Sequence, residues 1–360
     1  MSDTDRQSQF SGTKPVSEPH RFDEDRLERY LREHVPGFRG PLTVEQFKGG
    51  QSNPTYRLRS PQGTWVLRRK PPGKLLPSAH AVDREYRVMA ALGEADFPVP
   101  RMVLLCEDED VIGTMFYVME YVEGRIIWEA TMPGWSPADR AEVYDQVNAT
   151  IAKLHMIDPA SIGLGDYGKP GNYFARQIGR WSKQYRASET ETIAEMDRLI
   201  EWLPGHIPAE ESTSIVHGDF RLDNLVLHPE RNEVIAVLDW ELSTLGHPLG
   251  DFTYHLMQWR MPRAEGFGIS SLAGADLDAL GIPDEDSYVA RYCERTGRDG
   301  IDDRDFYAAF NFFRLAAILQ GIAGRVRDGT AASDHAKAMA AQVQPLARVA
   351  WDAAQRAGAR

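Results

Sequence analysis

Apolar and polar residues alternate in short runs between positions 42 and 69, and the period of two predicts strands over 42–47, 55–59 and 64–69. Lys48-Gly-Gly-Gln-Ser-Asn53 and Ser60-Pro-Gln-Gly63 separate them, and their Gly and Pro residues read as turns. Helical spacing takes over at 23–34, where Leu27, Tyr30 and Leu31 share one side, and again at 81–92. A strand pair at 102–106 and 115–119 closes this first region, joined by an acidic turn. Beyond position 137 the pattern is mostly helical, with segments expected at 137–157, 172–186, 191–203, 305–325 and 332–357. A loop with a short helix is expected over 264–283. Two apolar triplets, 214–216 and 225–227, and a run at 233–238 interrupt the helices and read as strands.

Composition narrows the class without naming a chemistry. Of 360 residues, 42% are hydrophobic and 26% charged, an ordinary balance for a folded chain of two domains or two lobes. A net charge of −12 leaves no basic surplus to displace counterions from phosphates, so no nucleic-acid partner is expected. No apolar run approaches a membrane span and the N-terminal stretch lacks a signal-peptide core. The expectation is therefore no membrane partner and a cytoplasmic location. Cys106 and Cys293 are too few for a disulfide framework and read as small buried hydrophobes. Residues 1–22, rich in Ser, Asp, Gln and Pro, are expected to form a disordered tail. After it come an N-terminal nucleotide-binding lobe at 23–119, a hinge at 120–124 and a catalytic and substrate-binding lobe at 125–360.

Chemistry concentrates between the apolar triplets. His217-Gly-Asp-Phe-Arg-Leu-Asp-Asn224 is a polar loop held between strands, and the next strand ends on Asp239-Trp240. Asp219, Asn224 and Asp239 thus offer three oxygen-bearing side chains at strand ends, a donor set suited to a hard cation and to a triphosphate. Two other matches fail on context. Gly163-Leu-Gly-Asp-Tyr-Gly168 spells a dinucleotide fingerprint but follows a helix, and the same stretch read as a phosphate loop has Pro170 where Ser or Thr is needed. His217, His228, His247 and His255 lack a regular metal-ligand spacing.

The spacing His-x-Asp, Asn five residues on, and a downstream Asp resembles the catalytic loop of the protein-kinase superfamily. The His-Gly-Asp form with Asp-Trp resembles the aminoglycoside phosphotransferase branch, which also holds kinases for choline and homoserine. Val66-Leu-Arg-Arg-Lys-Pro-Pro-Gly-Lys-Leu-Leu-Pro77 with Asp83-Arg-Glu-Tyr86 is similar to the phosphotransferase domains that some acyl-CoA dehydrogenases carry. The resemblance implies an α+β, protein-kinase-like two-lobe fold: a small N-terminal lobe with an antiparallel sheet and a helix, and a larger, mainly helical C-terminal lobe.

It also implies roles. Asp219 would take the proton of a substrate hydroxyl, Arg221 would neutralise the phosphoryl group in flight, and Asn224 and Asp239 would hold Mg2+. Gly49, Gly50 and Ser52 would cover the phosphates of ATP or another nucleoside triphosphate. Arg68, standing where kinases carry Lys, would pair with Glu85, and the main chain at Glu120 and Val122 would bind adenine. Asp251 would brace the catalytic loop. The acceptor expected is a small hydroxyl-bearing molecule, a hydroxyacyl-CoA, whose anionic head suits a basic stripe of Arg176, Arg180 and Lys183. A functional link to an acyl-CoA dehydrogenase goes with that acceptor. An aminoglycoside phosphotransferase and a nucleotide-binding scaffold without turnover are the alternatives.

Overall fold

The structure is a computed structural model that describes residues 11–48, 53–71, 80–262, 270–329 and 334–360. Its N-terminal part is a six-stranded antiparallel sheet: β1 (Thr13–Lys14), β2 (Thr43–Phe47), β3 (Thr55–Ser60), β4 (Gly63–Arg69), β5 (Met102–Cys106) and β6 (Phe116–Glu120), in the order β1-β2-β3-β4-β6-β5. Alternation along these strands gives the sheet two apolar faces. Tyr56, Leu58 and Leu67 point to one face and pack with Leu27 and Leu31 of helix α1 (Glu24–His34), whose N-cap Asp23 accepts from the Arg26 amide. Val66, Tyr117 and Met119 point to the other and join Val88, Met89 and Leu92 of helix α2 (Val82–Glu94) in the main core.

Residues 11–22 depart from the expected disordered tail. Thr13 and Lys14 pair with Phe47 and Gln46 of β2. The Gln46 side chain accepts from the Ser17 amide at 3.1 Å, and the His20 carbonyl accepts from Tyr56 Oη at 2.9 Å and Arg69 Nη2 at 3.1 Å. Val16 and Phe22 pack against the core around Tyr56, Phe22 edge-on to the Tyr56 ring, so backbone pairing, polar contacts and two apolar side chains together order a segment whose composition is otherwise polar.

The C-terminal lobe contains α3 (Pro137–Met156), α4 (Tyr173–Ser188), α5 (Ala194–Trp202), α6 (Pro248–Arg260), α7 (Leu277–Leu280), α8 (Glu285–Thr296), α9 (Arg304–Arg327), α10 (Asp334–Ala340) and α11 (Val343–Arg356). Helix α9 is apolar almost all round, long and apolar enough to cross a membrane by length and composition, yet 78% of that stretch is buried against the other helices. The single helix expected over 332–357 is two, α10 and α11, parted at Ala341 and Gln342.

Five short strands position the polar loop. β7 (Arg125–Ile126), β9 (Leu225–Leu227) and β10 (Val234–Val237) form one sheet, while β8 (Ser214–Val216) pairs with β11 (Thr244–Gly246) in another. The loop's two ends therefore belong to different sheets rather than to one hairpin. Gly124 lets the 120–124 connection pass close to β9, because a Cβ there would lie 2.3 Å from the Leu227 carbonyl oxygen.

Candidate active site

His217 is fully buried and locks the loop to the next strand. Its Nε2 lies 2.8 Å from the Leu238 carbonyl and its Nδ1 accepts from the Asp219 amide at 3.2 Å, an arrangement that places the proton on Nε2. Beneath it, the buried Asp251 carboxylate accepts from the amides of His217 at 2.7 Å and Gly218 at 2.8 Å, and pairs with His155 Nε2 at 3.3 Å. Burial opposes its charge, but the hydrogen bonds from His155 and the His217 amide outweigh that and hold the carboxyl below its ordinary range. Gly218 has φ +86°, and a Cβ would meet the Leu242 carbonyl oxygen at 2.7 Å, so the turn needs glycine.

These anchors gather the expected side chains. Asn224 Nδ2 donates to the Asp219 carbonyl at 2.9 Å and to Asp219 Oδ2 at 3.3 Å. The Leu238 amide donates to the Asn224 carbonyl at 2.8 Å, which fixes Asp239 beside the loop. Asp239 sits in the left-handed region, φ +66°, a conformation Asp tolerates better than most residues. Trp240 anchors it from below, buried, with its indole N–H on the Val237 carbonyl at 2.9 Å and its ring edge-on to His217 and Phe97.

Arg68 joins the two lobes. Its Nε is 2.9 Å from Glu85 Oε2, and its Nη2 is 2.6 Å from Asp239 Oδ1 and 3.4 Å from Glu241 Oε2. Burial works against the guanidinium charge, yet Glu85, Asp239 and Glu241 more than offset it and keep Arg68 protonated. Glu85 also accepts from Asn53 Nδ2 at 2.8 Å and Tyr117 Oη at 3.1 Å. The expected Arg68–Glu85 pairing is present, and Asp239 is drawn into it. A guanidinium at 2.6 Å shows that the place beside Asp239 suits positive charge. Asp239 and the Asn224 side-chain oxygen are the oxygen donors this corner offers a hard cation such as Mg2+; among the described residues no cluster of three or more His, Cys, Asp or Glu adds to them.

Other expectations fare differently. Gly49, Gly50 and Ser52 lie outside the described residues. Glu120 ends β6, its amide on the Arg101 carbonyl at 2.9 Å and its carboxylate on Arg101; Val122 follows, half-buried, in the connection to β7. Arg221 is held between Asp219 at 3.1 Å and Asp223 at 3.2 Å, facing carboxylates of its own loop. The basic stripe does not converge on the site: Arg176 donates to the carbonyls of Lys169 and Gly171, Arg180 stacks on Trp181, and Lys183 is exposed. The rejected glycine-rich stretch turns out to brace the lobes, since the Tyr167 and Gly163 carbonyls accept from Arg84 at 2.7 Å and Arg87 at 2.9 Å of α2.

Sequence reasoning missed Tyr254, Arg314, Asn53 and Tyr117. Tyr254 Oη donates to Asp219 Oδ1 at 2.7 Å, and Arg314 Nη2 donates to the Gly218 carbonyl at 2.8 Å while its guanidinium covers the Tyr254 ring. Against Tyr254, the partner of Asp219, lies a small hollow of about 40 Å3, walled by Ile127, Trp128, Ala130, Met257 and Met261 and by Arg221, Asp223, Tyr254, His255 and Gln258. Burial keeps His255 neutral, its imidazole pushed down to about 4. Arg221 and Asp223 on the hollow's wall pair with each other.

A crystal structure from Ralstonia eutropha JMP134, named as a candidate aminoglycoside phosphotransferase, is 55% identical, superposes with a TM-score of 0.86, and covers 93% of this chain and 99% of that one. Choline kinase from Cryptosporidium parvum, at 12% identity and TM-score 0.60 over 93% of this chain and 97% of its own, shares the fold. Mouse acyl-CoA dehydrogenase family member 10 is 45% identical over 97% of this chain and 33% of its own length. Rat acyl-CoA dehydrogenase family member 11 is 43% identical over 96% of this chain and 45% of its own. The chain thus spans less than half the length of these curated relatives. Residues 43–310, from β2 through both strands of the loop into α9, match the sequence profile of the phosphotransferase enzyme family, and the chain belongs to that family.

Proposed function

We propose that this phosphotransferase is a small-molecule kinase that moves the γ-phosphoryl group of ATP to the hydroxyl of a hydroxyacyl-CoA. The observation that carries the reading is Asp219 set beside Asn224 and Asp239, with Arg68 tying Asp239 to Glu85 across the lobes. Asp219 accepts the proton of the attacking hydroxyl, a contribution typically worth about 10²–10⁴ in rate. Asn224 and Asp239 would hold Mg2+, which supplies charge neutralisation at the nucleotide phosphates when bound. Arg68 and Glu85 fix the small lobe over the site, and the main chain near Glu120 and Val122 receives the base. A thermostable aminoglycoside phosphotransferase mutant of the same fold has been solved with AMP-PNP and hygromycin B, which supports a nucleotide in this cleft.

The hollow supports the acceptor class. Among the described residues lining it, the one carboxylate, Asp223, is paired with Arg221. A polycationic aminoglycoside needs free carboxylates, whereas Trp128, Met257 and Met261 suit an apolar chain running up to a hydroxyl. The names of the acyl-CoA dehydrogenase relatives point the same way and support a functional link to such an enzyme.

The test is magnesium-dependent ADP release from ATP across hydroxyacyl-CoAs, aminoglycosides, choline and homoserine, run beside Asp219→Ala. Release stimulated by a hydroxyacyl-CoA and abolished by the substitution supports the reading; stimulation by an aminoglycoside alone replaces it. A second reading, a nucleotide-binding scaffold, draws on Arg68 Nη2 standing on Asp239. A magnesium-dependent rise in melting temperature with ATP, without ADP formation across the panel, would favour it.

A further inference from the structure

Asp219 has two oxygens, and the structure treats them differently. Oδ1 receives the Tyr254 hydroxyl at 2.7 Å and lies 3.1 Å from Arg221 Nε. Oδ2 receives only the long 3.3 Å contact from Asn224 Nδ2 among the described residues. Tyr254 is 7% exposed and stands where the wall of the hollow meets the carboxylate. Behind it lies Arg314, 4% exposed, its guanidinium 5.1 Å from the Tyr254 ring centroid and its Nη2 on the Gly218 carbonyl. Arg314 Nε and Nη1 are buried and find no hydrogen-bond acceptor among the described residues. A buried cation with two idle donors costs stability, so its cation–π contact and its bond to the loop need a return beyond packing.

We propose that Tyr254, backed by Arg314, is a positioning residue for phosphoryl transfer: it occupies Oδ1 of Asp219 and so presents Oδ2 to the acceptor hydroxyl arriving through the hollow. The inference rests on the kinase reading above. In the step it serves, the acceptor O–H bond breaks and its proton passes to Oδ2. The acceptor oxygen bonds to the γ-phosphorus, and the bond from that phosphorus to the bridging oxygen breaks, its electron pair leaving on ADP. Burial first, and then the Asp219 charge beside it, raise the Tyr254 phenol well above its ordinary value, so it remains a donor throughout.

Tyr254→Phe removes the hydroxyl and keeps the ring under Arg314; Tyr254→Leu removes both. Steady-state kinetics with the best acceptor should show kcat lower by about tenfold to a hundredfold in Tyr254→Phe, with KM for ATP and the melting temperature unchanged. Arg314→Met should lower kcat in the same direction, and the double variant Tyr254→Phe/Arg314→Met should fall by less than the product of the two separate losses. An unchanged kcat in Tyr254→Phe overturns the inference while leaving the kinase reading standing. A rise in KM for ATP that matches the fall in kcat also overturns it, because a loosened fold would act on both. A wild-type protein that releases no ADP with any acceptor overturns both readings together.

Discussion

Asp251→Ala should loosen the catalytic loop from below. The carboxylate is 1% exposed and accepts from the amides of His217 and Gly218 at 2.7 and 2.8 Å and from His155 at 3.3 Å. Removing it strands two buried backbone donors. A hydrogen bond to a charged group contributes roughly 1.5–3 kcal/mol, and neighbouring losses are not fully additive, so about 3–5 kcal/mol is expected. Against a total stability of about 5–15 kcal/mol this is a large fraction. Asp251→Asn keeps the shape and one acceptor, so about 2–3 kcal/mol is expected from it. The pH dependence has a fixed sign. The folded carboxyl is held below its ordinary value, so its stabilisation is present above the unfolded pKa of about 3.9 and is lost as pH falls through the lower folded value. Urea unfolding of wild type, Asp251→Ala and Asp251→Asn at pH 7 and in acid reads both effects. A cost for Asp251→Ala under about 1 kcal/mol, or a wild-type to Asn gap equally wide in strong acid, refutes the argument.

Arg68→Lys replaces a fork that reaches Glu85 and Asp239 through separate nitrogens by a single ammonium. A stability loss of about 1–2 kcal/mol and weaker ATP binding are expected, read by urea titration and calorimetry. His255 is held neutral with its imidazole down at about 4, so the unfolded chain takes up a proton from about pH 6.5 that the folded chain refuses. Stability therefore falls with acidification between those values by up to about 1.4 kcal/mol per pH unit, and His255→Gln should remove that slope. Gly124→Ala drives a methyl toward the Leu227 carbonyl oxygen and should cost about 1–3 kcal/mol in thermal or urea unfolding.

The parts of the site that could be read from sequence lie close together in it. Asp219, Asn224 and Asp239 share one loop and the next strand end, so spacing alone proposes them. Arg68 and Glu85 were legible because strand, cation, helix and carboxylate follow in order. Tyr254 and Arg314 were not, since they stand on α6 and α9 among other buried polar positions, outside the motif spacing, and only packing turns them to the loop. The strand and helix pattern gave β2 to β6, β8 to β10 and helices α1 to α4 and α9 to within two residues, but it marked no helix at α6 or α8. It failed where the controlling contacts carry no periodic signal. Residues 11–22 are held by backbone pairing, by Gln46 and by Val16 and Phe22 against the small-lobe core, and the α10–α11 break at Ala341 falls four residues before Pro345, whose ring and missing N–H end the helix there. The basic stripe of Arg176, Arg180 and Lys183 misled for the converse reason: a shared helical face does not say what that face meets.

The central claim is that Asp219, Asn224 and Asp239 form a phosphoryl-transfer centre acting on a hydroxyacyl-CoA. Mass spectrometry of a hydroxyacyl-CoA incubated with ATP, Mg2+ and either wild type or Asp219→Ala tests it most directly. The account predicts a phosphorylated acyl-CoA with wild type and none above background with Asp219→Ala. Phosphorylated product in equal yield from both proteins would contradict it, as would none from wild type alongside a phosphorylated aminoglycoside.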